Sequence, residues 1–354
     1  MRNNVKQTIQ LIILFSFMAM MLTGCQKAEK KTEIVLTTEF AEDEVFRIDE
    51  ESCTLPEINV YMRTSKDQYE SVFGSEIWTK DLNGTTLEQQ LKDTILARIA
   101  QIKVMNLLAD EKKVTLSEKE SSLVDQAAVK YMASLSEQEI SALSVNEDII
   151  KKLYGEYALA NKVYNEITKD INPEISDDEA RTISVKHILI MTYSLDENGE
   201  KVEYTENKKK VAFTKINEIL KRAKAGEDFD ALEEEYNEDT ENIYSFGKGT
   251  MPSSFEEAAF NLDTDQISDV VETEYGYHII KCISSFDRNE TDANKVKIVE
   301  QRKNEAFNQV YSEFIKGLYS NLNSKLWDSV KYESNTDITT TNFFDVYNSV
   351  FESD

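Results

Sequence analysis

Histidine is nearly absent from this 354-residue chain, which has only His187 and His278. Cysteine is almost as rare, and the positions of Cys25, Cys53 and Cys282 outline no disulfide framework. Cys53 and Cys282 can pair or stay free. Cys282 lies in an apolar run and reads as a small buried residue, and neither thiol reads as catalytic. Positive charge is short as well. Forty Lys and Arg against 66 Asp and Glu leave −26 at pH 7, a surface that repels nucleic acid and disfavours lying flat on anionic lipid. The longest apolar run, Leu11 to Leu22, falls short of the about 20 residues that cross a bilayer. With 40% hydrophobic and 10% aromatic residues, the chain nevertheless has the material for a packed core.

What is present begins with a targeting pattern. Arg2 and Lys6 precede the apolar run, and small residues follow it, the order of a secretory signal. Leu22-Thr23-Gly24-Cys25 resembles the lipobox of bacterial lipoproteins, which implies cleavage before Cys25, lipid on that residue, and a protein anchored to a membrane without spanning it. From Cys25 onward 330 of the 354 residues remain, their net charge −28 once Arg2 and Lys6 are gone, enough for about two domains.

Helical spacing dominates residues 86–171. Leu87, Leu91, Ile95, Ile99, Ile102 and Met105 recur at three and four residues. Ser117–Glu120, Ser136–Glu139 and Ser144–Glu147 read as capping boxes, and Glu57–Phe73 as another helix with Pro56 at its first position. A second block, Asn294 to Val330, keeps Phe307, Val310, Phe314, Leu318, Leu322 and Leu326 on one helical face. Such a stripe has to pack on something, and the earlier block is the obvious partner. The final residues, 335–354, are polar apart from an aromatic group including Phe343, Phe344, Tyr347 and Phe351, and either dock or stay loose.

Between the two blocks the chain changes character. Arg181–Met191 and Val270–Ser285 read as strands, with helices at Lys208–Ala225, around Phe229–Tyr236, and from a Ser253–Glu256 capping box. That order describes a compact α+β domain. Alternate residues of a strand share a face, so Val185, His187 and Leu189 point together, as do His278, Ile280 and Cys282. If the strands pair, the two imidazoles can meet, one donating and the other accepting. From the strands alone, a structural pair of core histidines is the default reading. A His-His-Asp zinc site and a His278–Cys282 protease dyad are weaker, because the imidazoles already satisfy each other.

Four segments change that default. KHILI, AGEDFDALEEEYNED, GTMPSSFEEAAFNL and YGYHIIK occur in the order and near the spacing of the parvulin family of peptidyl-prolyl isomerases, and together resemble it over about a hundred residues. The wider layout resembles the extracellular foldases of the PrsA type. The resemblance implies a parvulin domain, a sheet with surrounding helices, inserted into an all-α chaperone-like module formed by the N- and C-terminal segments. The segments would be a signal peptide, 1–24; a tether, 25–55; the helical module, 56–177; the isomerase domain, 178–287; a returning helix, 288–334; and a tail, 335–354.

Carried over residue by residue, the family's paired histidines fall on His187 and His278, its acidic or thiol position on Asp239, and its hydroxyl partner on Thr273. The apolar residues that cradle proline fall on Met251 and Phe255, with Ile243 as a further wall and Tyr275 at the rim. No metal or cofactor is implied. The implied partners are unfolded exported proteins and the membrane reached through Cys25; the oligomeric state stays open, a homodimer included. TENIYSFGKG replaces the family's glycine-rich run, and the loop from Asp239 to Met251 is short. Met191, Asp196 and Glu197 stand where the phosphoserine-directed branch has basic residues, which argues against phosphate recognition. The function expected is isomerisation of X-Pro bonds in exported chains. The alternatives are a non-catalytic holdase lipoprotein with a degenerate parvulin domain, and a lipoprotein serving one dedicated envelope partner.

Overall fold

The computed structural model describes residues 39–82, 84–197, 199–331 and 341–352. The signal-like segment, Cys25 and the first part of the tether lie outside the described residues. The chain forms two compact units, Met1–Lys169 with Phe307–Asp354, and Asp170–Ala306.

The first unit opens with an antiparallel pair, β1 (Glu44–Ile48) and β2 (Glu51–Thr54), and then becomes helical: α1 (Leu55–Phe73), α2 (Leu87–Glu111), α3 (Glu118–Ser134), α4 (Glu137–Leu143) and α5 (Glu147–Thr168). Pro56 sits in the first turn of α1, where its missing N–H would have had no helical partner. The stripe Leu91, Ile95, Ile99 and Ile102 is buried as its spacing predicts. Two of the expected capping boxes form, at Ser117 and Ser136. The third does not. Ser144 closes α4 in the left-handed conformation (φ 56°), and Asn146 caps α5 instead, accepting from Ile149 N–H at 2.9 Å. A residue that ends one helix is not in the extended conformation that opens the next.

A cluster of ions lies inside this unit. Lys103, fully buried, donates to Glu156 at 2.6 Å and to Glu57 at 3.4 Å, while Lys152 reaches Glu57 at 2.6 Å. Burial opposes the charge on Lys103, but Glu156 and Glu57 overcome it and hold its pKa above the ordinary lysine value.

The second unit has a sheet between two helical layers. Its elements are β3 (Thr182–Met191), a hairpin of β4 (Tyr193–Leu195) and β5 (Lys201–Glu203), α6 (Glu206–Lys224), α7 (Phe229–Tyr236), β6 (Ile243–Gly247), α8 (Ser253–Phe260), β7 (Val271–Thr273) and β8 (Gly276–Ser284). The sheet order is β6-β3-β8-β7, every pair antiparallel. Ile188, Ile190, Tyr277 and Ile279 face α6 and α7, where Ile216, Ile219, Phe229 and Leu232 meet them. Ile183, Val185, Ile280 and Cys282 face the other way, toward Phe246, Phe255 and Ala259. Strand β6 and the hairpin were not among the expected strands; all three segments are short, five residues at most.

Helix α9 (Arg288–Phe314) has its residues up to 306 in the second unit and the rest in the first. The single helix expected to Val330 stops at Phe314. A 3-10 turn, Ile315–Gly317, is followed by β9 (Ser320–Leu322) and α10 (Ser324–Ser329). Strand β9 pairs with β1, so the helical unit also carries a three-stranded sheet, β9-β1-β2. Leu322 thus leaves the helical stripe and is exposed. The aromatic tail docks as α11 (Phe343–Phe351): Phe343 is fully buried and stacks on Tyr154 at 4.1 Å, whose hydroxyl donates to the Phe343 carbonyl at 2.9 Å. Cys53 and Cys282 are both buried and free.

Candidate active site

Strands β3 and β8 pair with Ile280 opposite His187 and Leu189 opposite His278. The two histidines are therefore diagonal neighbours on one face, their Nδ1 atoms 3.2 Å apart and both nearly inaccessible to solvent. Phe255 of α8 sets its ring edgewise to both, 5.7 Å from His187 and 5.2 Å from His278.

The outer nitrogens fix the proton pattern. His187 Nε2 lies 3.3 Å from the Glu241 carbonyl and 3.2 Å from Asp239 Oδ2, both acceptors, so it carries the hydrogen. In a neutral ring, His187 Nδ1 must then accept, and His278 Nδ1–H donates to it. His278 Nε2 is left as an acceptor for the Thr273 hydroxyl at 2.8 Å, and Thr273 Oγ1 in turn accepts from Tyr275 N–H at 3.1 Å. With both rings neutral, every nitrogen in this chain has a partner. Burial holds both imidazoles below their ordinary pKa of 6.5, and the neighbouring His187 lowers His278 further.

Three local devices hold this arrangement. Asn237 Oδ1 accepts from Leu189 N–H at 2.8 Å, and Glu238 N–H donates to the Leu189 carbonyl at 3.0 Å, so the loop bearing Asp239 is stitched along β3. Gly276, with φ 145°, lets the β7–β8 turn close: a Cβ there would stand 2.2 Å from the Ile190 carbonyl oxygen. Glu256, expected to complete a capping box, instead turns away from α8. It accepts backbone N–H groups of Gly249, Thr250 and Met251 at 2.7, 3.1 and 3.4 Å, clamping the loop that carries Met251. The helix is led by Pro252, which has no side-chain acceptor.

The structure brings His187, His278, Thr273, Asp239 and Phe255 together, with Met251 packed beside the same apolar cluster. Tyr275 lies at the turn beside Thr273, 44% exposed. Ile243 is a correction. It pairs with Lys186 and is 49% exposed, on the face of the sheet away from the histidines. The pleat gives the inward place to Tyr244, which pairs with Val185. Tyr244 sets its ring edge 5.2 Å from His187 and its hydroxyl donates to Asp239 Oδ2 at 3.0 Å. Alternation with Phe246, two residues on, was the available signal. Burial and the bond to Asp239 push the Tyr244 phenol up to about 12, so it keeps its proton at neutral pH. Among the described residues no cluster of three or more His, Cys, Asp or Glu has the arrangement of a metal site.

Residues 187–284 match the family model described as rotamase, a PPIC-type PPIase domain. Taken with the sheet and its surrounding helices, this makes the second unit a parvulin-type peptidyl-prolyl isomerase domain. The chain is 28% identical over 326 residues, 88% of its length, to the foldase protein PrsA of Caldanaerobacter subterraneus subsp. tengcongensis, of which it covers 95%. It is 30% identical to foldase protein PrsA 3 of Bacillus cereus, over 61% of this chain and 71% of that one. A crystal structure of the peptidylprolyl isomerase PrsA from Bacillus cereus aligns over 85% of this chain and 96% of that one, at 18% identity and a TM-score of 0.35. The chain belongs to the PrsA foldase family.

Proposed function

We propose that this protein catalyses cis–trans isomerisation of X-Pro bonds in exported proteins, outside the cytoplasm, anchored by lipid on Cys25. The observation that carries the catalytic part is the hydrogen-bonded line from Thr273 through His278 to His187, with Asp239 3.2 Å from His187, beside an apolar wall. Rotation about an X-Pro bond meets a barrier of about 18–20 kcal/mol, set by amide resonance. In the planar amide, nitrogen shares electron density with the carbonyl oxygen; twisting returns it to nitrogen. The Asp239 carboxylate repels the more negative oxygen of the planar form, and so favours the twisted one by comparison. Met251 and Phe255 hold the proline ring while the preceding carbonyl swings. Neutral imidazoles keep Asp239 oriented without cancelling its field. No bond breaks, so no nucleophile takes part.

The helical unit would hold unfolded segments of the same clients. The lipid anchor rests on Leu22-Thr23-Gly24-Cys25, and among the described residues no helix is long and apolar enough to cross a membrane. The deciding experiment is exchange NMR on an X-Pro peptide with and without the protein. Catalysis that is lost in Met251→Ala supports the reading; a folded protein that leaves the exchange rate unchanged replaces it with a holdase. Labelled palmitate incorporated by the wild type and not by Cys25→Ala supports the anchor.

A further inference from the structure

We propose that Tyr244 is a positioning residue of the isomerase site, its hydroxyl holding the Asp239 carboxylate against His187. The inference rests on the isomerase reading above and adds to it a residue at which this chain departs from the glycine-rich run its family carries. Asp239 stands in the loop between α7 and β6, outside any regular element. Three groups approach its carboxylate: Tyr244 Oη on Oδ2 at 3.0 Å, His187 Nε2 on the same oxygen at 3.2 Å, and Glu241 N–H on Oδ1 at 3.4 Å. The tyrosine bond is the shortest of the three, and hydrogen bonds to ionised groups are the stronger kind.

The geometry gives that bond a fixed base. Tyr244 enters from β6, where its backbone is paired to Val185, two residues from His187 on the same strand face. Its ring rests edgewise on His187 and packs on the apolar cluster around Phe246 and Phe255, so the hydroxyl is aimed by packed atoms. A glycine at this position would leave Asp239 with the histidine and one long backbone bond. Tyrosine instead makes a short loop self-supporting: one residue supplies both the wall beside the histidine and the donor for the carboxylate. Thr273, His278, His187, Asp239 and Tyr244 then form one continuous line of polar contacts of 3.2 Å or less, anchored on β7 at one end and β6 at the other.

The test uses the full chain and three variants, Tyr244→Phe, Asp239→Ala and the double substitution, with peptide exchange and imidazole 15N–1H NMR as readouts. Tyr244→Phe keeps the ring and should lower kcat/KM about tenfold, the size expected for one hydrogen bond to a charged group. In the Asp239→Ala background the same substitution should change nothing, because the residue it acts through is gone. Equal losses in both backgrounds, or no loss in either, overturn the proposal. The His187 Nε2 proton should be visible and slow to exchange in the wild type, and shifted or broadened in Tyr244→Phe. That readout does not depend on turnover. If the wild type fails to catalyse, the isomerase reading fails, while an unmoved His187 signal in Tyr244→Phe separately sinks the clamp.

Discussion

Each unit buries a polar group at its centre, and the two do so in opposite ways. In the helical unit, Lys103, Glu57 and Glu156 are buried as ions and compensate one another within a helix-packed core. In the isomerase unit, His187 and His278 are buried as neutral rings, and the charge is kept at the margin on Asp239, whose side chain is 25% exposed. Burying ions demands partners on every side and leaves none to offer. Burying neutral donors and acceptors in a line leaves the line's end open to a substrate. The first arrangement fixes a packing; the second can do chemistry.

The sharpest way to break this comparison is to remove one ion. Lys103→Ala should destabilise the helical unit by about 3 kcal/mol, the low end for an uncompensated buried charge because Lys152 still reaches Glu57. Chemical denaturation measures it, and an unchanged midpoint would show the cluster to be idle. Asp239→Ala is the counterpart: about a hundredfold less isomerase activity, or about 2.7 kcal/mol in the barrier, with unfolding little affected. If it unfolds the domain instead, Asp239 is a structural residue.

Glu256→Ala should come next, at about 1.5–3 kcal/mol, since three backbone donors lose a charged acceptor. Its effect should fall on substrate affinity through the Met251 loop, read as a rise in KM. The smallest effect is the pH dependence. Both histidines titrate below 6.5 in the folded state, so the unfolded chain binds more protons as pH falls past that value. The stability is full above pH 6.5 and is lost below it, His278 alone, held down at about 3, contributing about 1.4 kcal/mol at one pH unit lower. Hydrogen exchange of β3 and β8 at pH 7.5 and 5.5 measures the slope, which His278→Asn should reduce. For the same reason, catalysis should show no inflection near pH 6.5.

The legible parts of the fold were those whose signal is local. The helical stripe from Leu91 to Ile102, the serine caps at 117 and 136, and the alternation that puts His187 and His278 on one face all follow from spacing. Strand β9 was illegible because its partner, Phe46 opposite Leu322, is far away in sequence and supplies the reason for the strand. Reading Phe314 to Leu326 as one helix fitted the period and ignored that competing partner.

By itself the sequence determined on which strand face the histidines lie, because the two-residue period belongs to the chain. Tertiary structure decided the rest. It set the proton pattern of the imidazoles, since a tautomer depends on the acceptors brought in by the Asp239 loop and the hydroxyl donor on β7. It turned Glu256 from a helix cap into a loop clamp, and it gave the inward place on β6 to Tyr244 instead of Ile243. Each of these depends on register and on hydrogen-bond partners from distant segments, and only the assembled fold brings those within 3 Å or so of one another.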